Sequence, residues 1–258
     1  KMFETLKLKY FQGRQYIPDI KNAQMRDQFR GFPIIKSGII DESICPTGAI
    51  KTNPNSIDLG KCTLCGACKC DNIDFSNYYK LYSTQRENLI ITENMREADF
   101  EKIAIKSRKE IQKVFGKSLK LRQVSAGGCN GCEMELNAAG NANFDMGRFG
   151  IDFVASPRHA DGLVITGPIT ENMAYALEDC YKSVPDPKVV VLCGACAISG
   201  GVFQNSTEIN REFLRPSTNF FFLRSANASS EITAFRCTRS NKYASVKVIS
   251  VFSYKSKL

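Results

Sequence analysis

Cysteine spacing constrains this chain more than any other feature. Cys62-Thr-Leu-Cys65-Gly-Ala-Cys68 sets three thiols at three-residue intervals, and Cys45 stands before Pro46 in an earlier turn. The surrounding stretch, Ser37–Asn77, is rich in Gly, Pro and Asp, so something other than a large core must hold it. The chain has eleven cysteines. Lys1–Tyr10 is basic and mixed, without the apolar core of a secretion signal, which favours metal binding over disulfides. Thiolates are soft ligands suited to iron–sulfur chemistry. C-x2-C pairs also bind zinc, but a triplet completed by a distant Cys-Pro fits a zinc site poorly.

The triplet and the Cys-Pro have the spacing found in two-cluster ferredoxins. There each cluster takes three cysteines from one C-x2-C-x2-C-x3-C-P run and the fourth from the other. Cys45, Cys62, Cys65 and Cys68 make one complete set for a [4Fe–4S] cluster. The other set would fall at Ile35, Gly38, Asp41 and Asn72, and none is cysteine. The region resembles a bacterial-type ferredoxin that has kept one of two clusters. Cys70 lies outside the pattern and reads as a bystander or an alternative ligand.

At 258 residues and 43% hydrophobic, the chain is long enough for one large or two smaller packed domains. No run approaches the ~20 apolar residues of a membrane-spanning helix, so a soluble or peripheral protein on a reducing side is expected. The net charge of +9 is unevenly spread, because 207–258 carries nine basic and three acidic residues. That end is rich in Ser and Asn and reads as a solvated tail rather than a nucleic-acid surface; no aromatic-rich recognition motif accompanies it.

Apolar periodicity organises the rest. Glu97–Phe115 places Phe100, Ile103, Ala104, Ile111, Val114 and Phe115 at helical intervals, within a segment, 81–120, read as linker and helix. Gly162–Thr166 and Val189–Cys193 are short continuous apolar runs, suited to strands buried on both faces. Between them Thr170 can cap a helix over Glu171–Val184, with Met173, Leu177, Cys180, Tyr181 and Val184 on one face. Strand, helix and strand with short turns predict a parallel sheet whose ligand-bearing loops lie at the carboxyl ends. Cys196 follows the second strand directly. Cys180 and Cys193 read as core residues.

A second cysteine set lies in Ser125-Ala-Gly-Gly-Cys129-Asn-Gly-Cys132-Glu-Met-Glu, a Gly-rich turn leading into a helix. From Leu121 to about Ser206 the chain resembles the small subunit of group 4 nickel–iron hydrogenases of the formate hydrogenlyase type, related to the proximal-cluster subunit of respiratory complex I. The match rests on Cys129-Asn-Gly-Cys132-Glu, Ser156-Pro-Arg-His-Ala-Asp161, Val164-Ile-Thr-Gly-Pro168, Met173, Pro185-Asp-Pro-Lys188 and Gly194-Ala-Cys196-Ala. Complex I subunits have adjacent cysteines at the first site, whereas Asn130-Gly131 separates them here, the hydrogenase-like arrangement.

The resemblance implies an α/β fold: a flavodoxin-like parallel-sheet domain over 121–214, preceded by a ferredoxin-like [4Fe–4S] module over 1–80 and followed by an atypical tail over 215–258. It implies a second [4Fe–4S] cluster, with Cys129, Cys132 and Cys196 as three of its ligands. The implied role is electron transfer in a complex I-like hydrogenase, without activity of its own. The implied partners are a nickel–iron large subunit, membrane subunits and a ferredoxin or formate-oxidising module, at the cytoplasmic face of the membrane. The alternatives are a complex I-like quinone oxidoreductase and, from another class, a zinc- or RNA-binding module. The Gly-Cys-Pro-Pro element that supplies the family's fourth ligand is absent. The break in pattern is what a shifted reading frame would produce; a divergent tail using Cys237, or a non-cysteine ligand, would serve instead. His159 reads as a hydrogen-bonded structural residue, Arg158 as a contact to cluster or partner, and Glu133 and Glu135 as members of a proton path or ordinary helix-start acids.

Overall fold

The computed structural model describes residues 2–13, 23, 25, 28–116, 118–214 and 220–223. The chain opens with α1 (Met2–Gln12), exposed from Phe3 to Phe11. The cysteine-rich stretch supplies β1 (Pro33–Ile35), β2 (Ile50–Thr52), β3 (Asn55–Asp58) and β4 (Ile73–Phe75). Next come β5 (Tyr82–Ser83), β6 (Ile90–Thr92) and α2 (Glu97–Phe115). The remainder alternates β7 (Leu119–Ser125), α3 (Gly131–Ala138), β8 (Ile151–Phe153), β9 (Gly162–Thr166), α4 (Glu171–Ser183), β10 (Val189–Cys193), α5 (Gly194–Ser199) and β11 (Phe220–Leu223).

Six strands form one sheet in the order β5-β11-β10-β9-β7-β8. All neighbours are parallel except β11 and β5. Counted along the chain, the five parallel strands lie in the order 2-1-3-4-5, the flavodoxin-like arrangement. Side chains alternate across the sheet as the pleat requires. Val124, Leu163, Ile165, Val190, Leu192 and Phe222 join one apolar cluster with Leu177 and Val184. Leu121, Val164, Val191, Cys193 and Leu223 join another with Ala104 and Ile111 of α2 and Leu136 of α3. Burial on both faces is why β9 and β10 are continuous apolar runs, and it makes Cys193 a core residue.

β1 and β4 pair antiparallel, Pro33 opposite Phe75 and Ile35 opposite Ile73. This ladder brings together positions of the missing ferredoxin set. Asn72 presses on Gly38 so closely that a Cβ at residue 38 would lie 2.6 Å from its Nδ2. The same Nδ2 donates to the Ile39 carbonyl at 3.1 Å, and Asn55 donates to the Gly38 carbonyl at 2.9 Å. Side-chain packing and amide hydrogen bonds thus join the strands where cluster ligands would otherwise converge.

Four expectations need correction. The segment 81–120 is more than linker and helix: β6 pairs with β3 of the cysteine-rich half, and β5 pairs with β11 at the edge of the main sheet. Residues 220–223 fall in the segment read as an atypical tail, yet they form the fifth parallel strand, because a short apolar run needs only a free sheet edge to pair with. Thr170 sits at the start of α4 without a side-chain cap; the Glu171 N–H instead donates to the Glu208 carbonyl at 2.9 Å. On α2 the buried stripe is Phe100, Ala104, Ser107 and Ile111, continued by Phe115, and Val114 is exposed because it lies off that stripe. Among the described residues no helix is long and apolar enough to cross a membrane.

The change of composition near residue 80 does not mark a gap in packing. Ala49, Ile57, Leu59, Cys62 and Leu64 belong to the same apolar cluster as Ala197 and Ile198. Along this seam a Cβ on Gly60 would lie 2.5 Å from Cζ of Arg86 and 2.8 Å from Cγ2 of Ile198, while Arg86 is held by Asp58 at 2.6 Å. Overpacking such a contact costs about 1–3 kcal/mol. Gly60→Val should therefore lower stability by that amount in denaturant unfolding; an unchanged midpoint would mean the seam is not packed.

Candidate metal centres

The first set converges. Cys45, Cys62, Cys65 and Cys68 line one recess, with Ile44, Pro46, Ala49, Ile50, Ile57 and Phe75 among its walls. Backbone turns aim donors at the sulfurs: the Ala49 N–H donates to Cys45 Sγ at 3.2 Å and the Leu64 N–H to Cys62 Sγ at 3.3 Å. Thr47 Oγ1 lies 3.6 Å from Cys45 Sγ. Burial pushes the Cys45 thiol up, but hydrogen bonds from Thr47, Ala49 and Ile50 outweigh it and hold the group below its ordinary value. Cys68 is pushed up to about 11, first by burial and then by the Cys62 sulfur, with smaller effects from Cys45 and Cys65. A thiol held among three other sulfurs, as Cys68 is, belongs to a site that a cationic centre would neutralise.

Among the described residues no three Cys, His, Asp or Glu side chains converge tightly enough to hold a single ion. Zinc needs four ligands at about 2.0–2.3 Å from one atom. A cluster takes one sulfur at each iron, and four cysteines around one apolar-walled recess have the chemistry of such a ligand set. Cys70 is not part of the recess; it is exposed and its backbone bridges to Ile73.

The second set lies at the carboxyl end of the main sheet. Cys129 sits in the exposed turn after β7, Cys132 in the first turn of α3, and Cys196 in α5 directly after β10. β7 and β10 flank β9, and β7–β9 is the point where the strand order reverses, the usual ligand site of such sheets. Gly128 packs on Gly167 there, with a Cβ at residue 128 only 3.1 Å from the Gly167 Cα. Cys193, the last residue of β10, is also at this end but is buried in the core, and Cys237 lies outside the described residues.

Glu133 is turned inward. It is 6% exposed and accepts from Ser125 Oγ at 2.5 Å and from Thr166 Oγ1 at 2.6 Å. Burial raises its carboxyl pKa, but the two hydroxyl donors outweigh that and keep it below the usual range. The carboxylate therefore ties the Cys132-bearing helix to the ends of β7 and β9. His159 and Arg158 are both exposed, and His159 has no side-chain hydrogen bond among the described residues, so the structural role expected of it is corrected. Arg211 carried no sequence signal. Its guanidinium donates to the carbonyls of Pro168, Cys196, Ala197 and Ile198 at 2.8–3.2 Å, satisfying the free carbonyl end of α5. Burial draws its pKa down and the Cys196 sulfur opposes that shift, so a positive charge stands beside Cys196.

Residues 129–250 match the protein family described as NADH ubiquinone oxidoreductase, 20 Kd subunit. This part of the chain is similar to that family. The match runs past Ser206, where the sequence motifs end. Among curated relatives, "Probable membrane-bound hydrogenase subunit mbhJ" of Pyrococcus furiosus is 42% identical over 101 residues, 39% of this chain and 60% of that protein. "Formate hydrogenlyase subunit 7" of Escherichia coli is 45% identical over 93 residues, 36% of each chain. An NADH-quinone oxidoreductase subunit of Citrifermentans bemidjiense is 50% identical over 72 residues, 28% of this chain and 42% of that protein. The chain thus spans at most about 60% of the length of these relatives. A chain in "Structure of the membrane-bound sulfane sulfur reductase (MBS), an archaeal respiratory membrane complex" aligns at a TM-score of 0.39 and 25% identity, covering 48% of this chain and 71% of that one.

Removing the Glu133 carboxylate would leave two hydroxyls without their acceptor, at about 1–3 kcal/mol. Glu133→Ala should lose that much stability and loosen α3, read as faster amide exchange over Gly131–Ala138; exchange equal to wild type would refute the clamp.

Proposed function

We propose that this chain is an iron–sulfur electron-transfer subunit of a complex I-like nickel–iron hydrogenase. The observation that carries the reading is the pairing, in one packed body, of a four-cysteine recess with a second cysteine set at the switch point of a flavodoxin-like sheet. Cys45, Cys62, Cys65 and Cys68 would hold one [4Fe–4S] cluster, and Cys129, Cys132 and Cys196 would supply three ligands to another. Such clusters, when bound, accept and release one electron at a time. The chain's own contribution is to fix the sulfurs, to aim the Ala49 and Leu64 N–H groups at them, and to keep the walls of the first recess apolar. Hydrogen bonds to sulfur and exclusion of water are the means by which a protein sets the potential of such a site.

The exposed turn from Gly127 to Gly131, with Met134 65% exposed beside it, would dock on the large subunit. Membrane subunits and a ferredoxin or formate-oxidising module would complete the assembly, held at the cytoplasmic face of the membrane. The Asn130-Gly131 spacer between Cys129 and Cys132, and relatives named as hydrogenase subunits, support the hydrogenase reading. The NADH-quinone oxidoreductase relatives support a quinone-reducing complex as the second reading. Cysteine pairs for nickel in the partner large subunit distinguish the two.

Cys65→Ser should remove about half of the bound iron and one of two reduced-cluster signals. Unchanged iron in that variant would sink the assignment. The isolated chain should bind iron and sulfide but no nickel, measured by metal analysis; stoichiometric nickel with hydrogen oxidation would contradict the proposed division of labour.

A further inference from the structure

The segment after Cys196 reaches both cysteine sets. Its near end is anchored at α5. The Gly200 N–H donates to the Cys196 carbonyl at 2.9 Å, and Arg211 grips the Cys196, Ala197 and Ile198 carbonyls. Gly201 adopts a φ of +55°, and a Cβ there would lie 2.9 Å from Cys196 Sγ, so the chain passes directly against the sulfur. Three residues later, Gln204 Nε2 donates to the Thr47 carbonyl at 3.2 Å, a hydrogen bond spanning 157 residues of sequence. Thr47 is 1% exposed and lies in the turn that wraps Cys45, between the cysteine and the Ala49 N–H that donates to its sulfur. Cys45 Sγ, the Thr47 peptide, the Gln204 amide, the Gly200–Gly201 turn and Cys196 Sγ therefore form one connected line across the seam.

We infer that Gln204 is a positioning residue that fixes the spacing of the two cysteine sets, so that one-electron exchange between them occurs at a set separation, with no bond made or broken at either. The inference rests on the proposed function above. Apolar packing at Gly60 and Ile198 resists compression of the seam but does little against sliding, because it has no direction. A hydrogen bond to the Thr47 carbonyl is directional, and it acts on the turn that carries a ligand. Gln204 is half-buried, so the bond is shielded in part from competing water.

The test uses the full chain loaded with iron and sulfide. Iron content is measured first, and then the magnetic interaction between the two reduced clusters and the rate of electron exchange between them. Gln204→Leu should keep wild-type iron and both cluster signals. It should also broaden the distribution of the magnetic interaction and slow exchange several-fold. Gln204→Lys, which keeps a donor within reach of the Thr47 carbonyl, should restore both. Should the leucine variant fail to fold, Gln204→Asn, one methylene short, serves for the same comparison. Wild-type coupling and rate in Gln204→Leu, or in Gln204→Asn where it stands in, would overturn the inference while leaving the proposed function intact. Loss of the Cys45-set cluster alone would also overturn it, because Gln204 would then act on ligand retention rather than spacing. A wild-type chain holding fewer than two clusters would defeat the proposed function itself, and the iron count reveals that before any variant is compared.

Discussion

Apolar burial across the seam between the cysteine-rich half and the sheet governs the rest of the molecule. The cysteine-rich half has strands of two to four residues and turns rich in Gly and Pro, too little to form a core of its own. It gains one by sharing: Ala49, Ile57, Leu59 and Leu64 lie in the same cluster as Leu163, Ile165, Leu192 and Ile198. Burying this surface on both sides joins the half that carries the first recess to the sheet that carries the second cysteine set. A rigid relationship between two sites follows from ordinary packing, and directional bonds then refine it.

Two polar groups inside the structure hold backbone elements in place. Glu133 ties a helix to two strands, and Arg211 closes the carbonyl end of a six-residue helix. Both act beside positions read as cluster ligands. A buried carboxylate with two donors and a half-buried guanidinium with four acceptors hold their geometry because leaving any of those partners unmatched costs free energy. The sulfurs they border are thereby fixed without the backbone having to be stiff by itself.

Much of this was legible in the sequence, for definite physical reasons. Gly162–Thr166 and Val189–Cys193 have the composition only a strand buried on both faces needs, and the structure places strands over those same residues. The spacing of Cys62, Cys65 and Cys68 with Cys45 was legible as a pattern, and the four residues line one recess. The absent set was equally readable, and Asn72 against Gly38 is its physical counterpart. What escaped was long-range and short in extent. β5 and β6 have only two or three residues, so no periodicity can reveal them, and their partners lie far away in sequence. β11 is an apolar run embedded in a basic, Ser/Asn-rich stretch whose average composition conceals it. Glu133 looked like a helix-start acid because its direction, inward, is set by Ser125 and Thr166 rather than by its neighbours on the helix.

The pairing of β5 with β11 carries a consequence for biosynthesis. β5 leaves the ribosome before any strand of the parallel sheet, yet its partner is the last of them. Closing that edge demands a loop spanning most of the second half of the chain, an entropic cost met only once the intervening strands have stacked. The cysteine-rich half, which shares its apolar core with α5 and the strands, is therefore synthesised well before the surface it packs on.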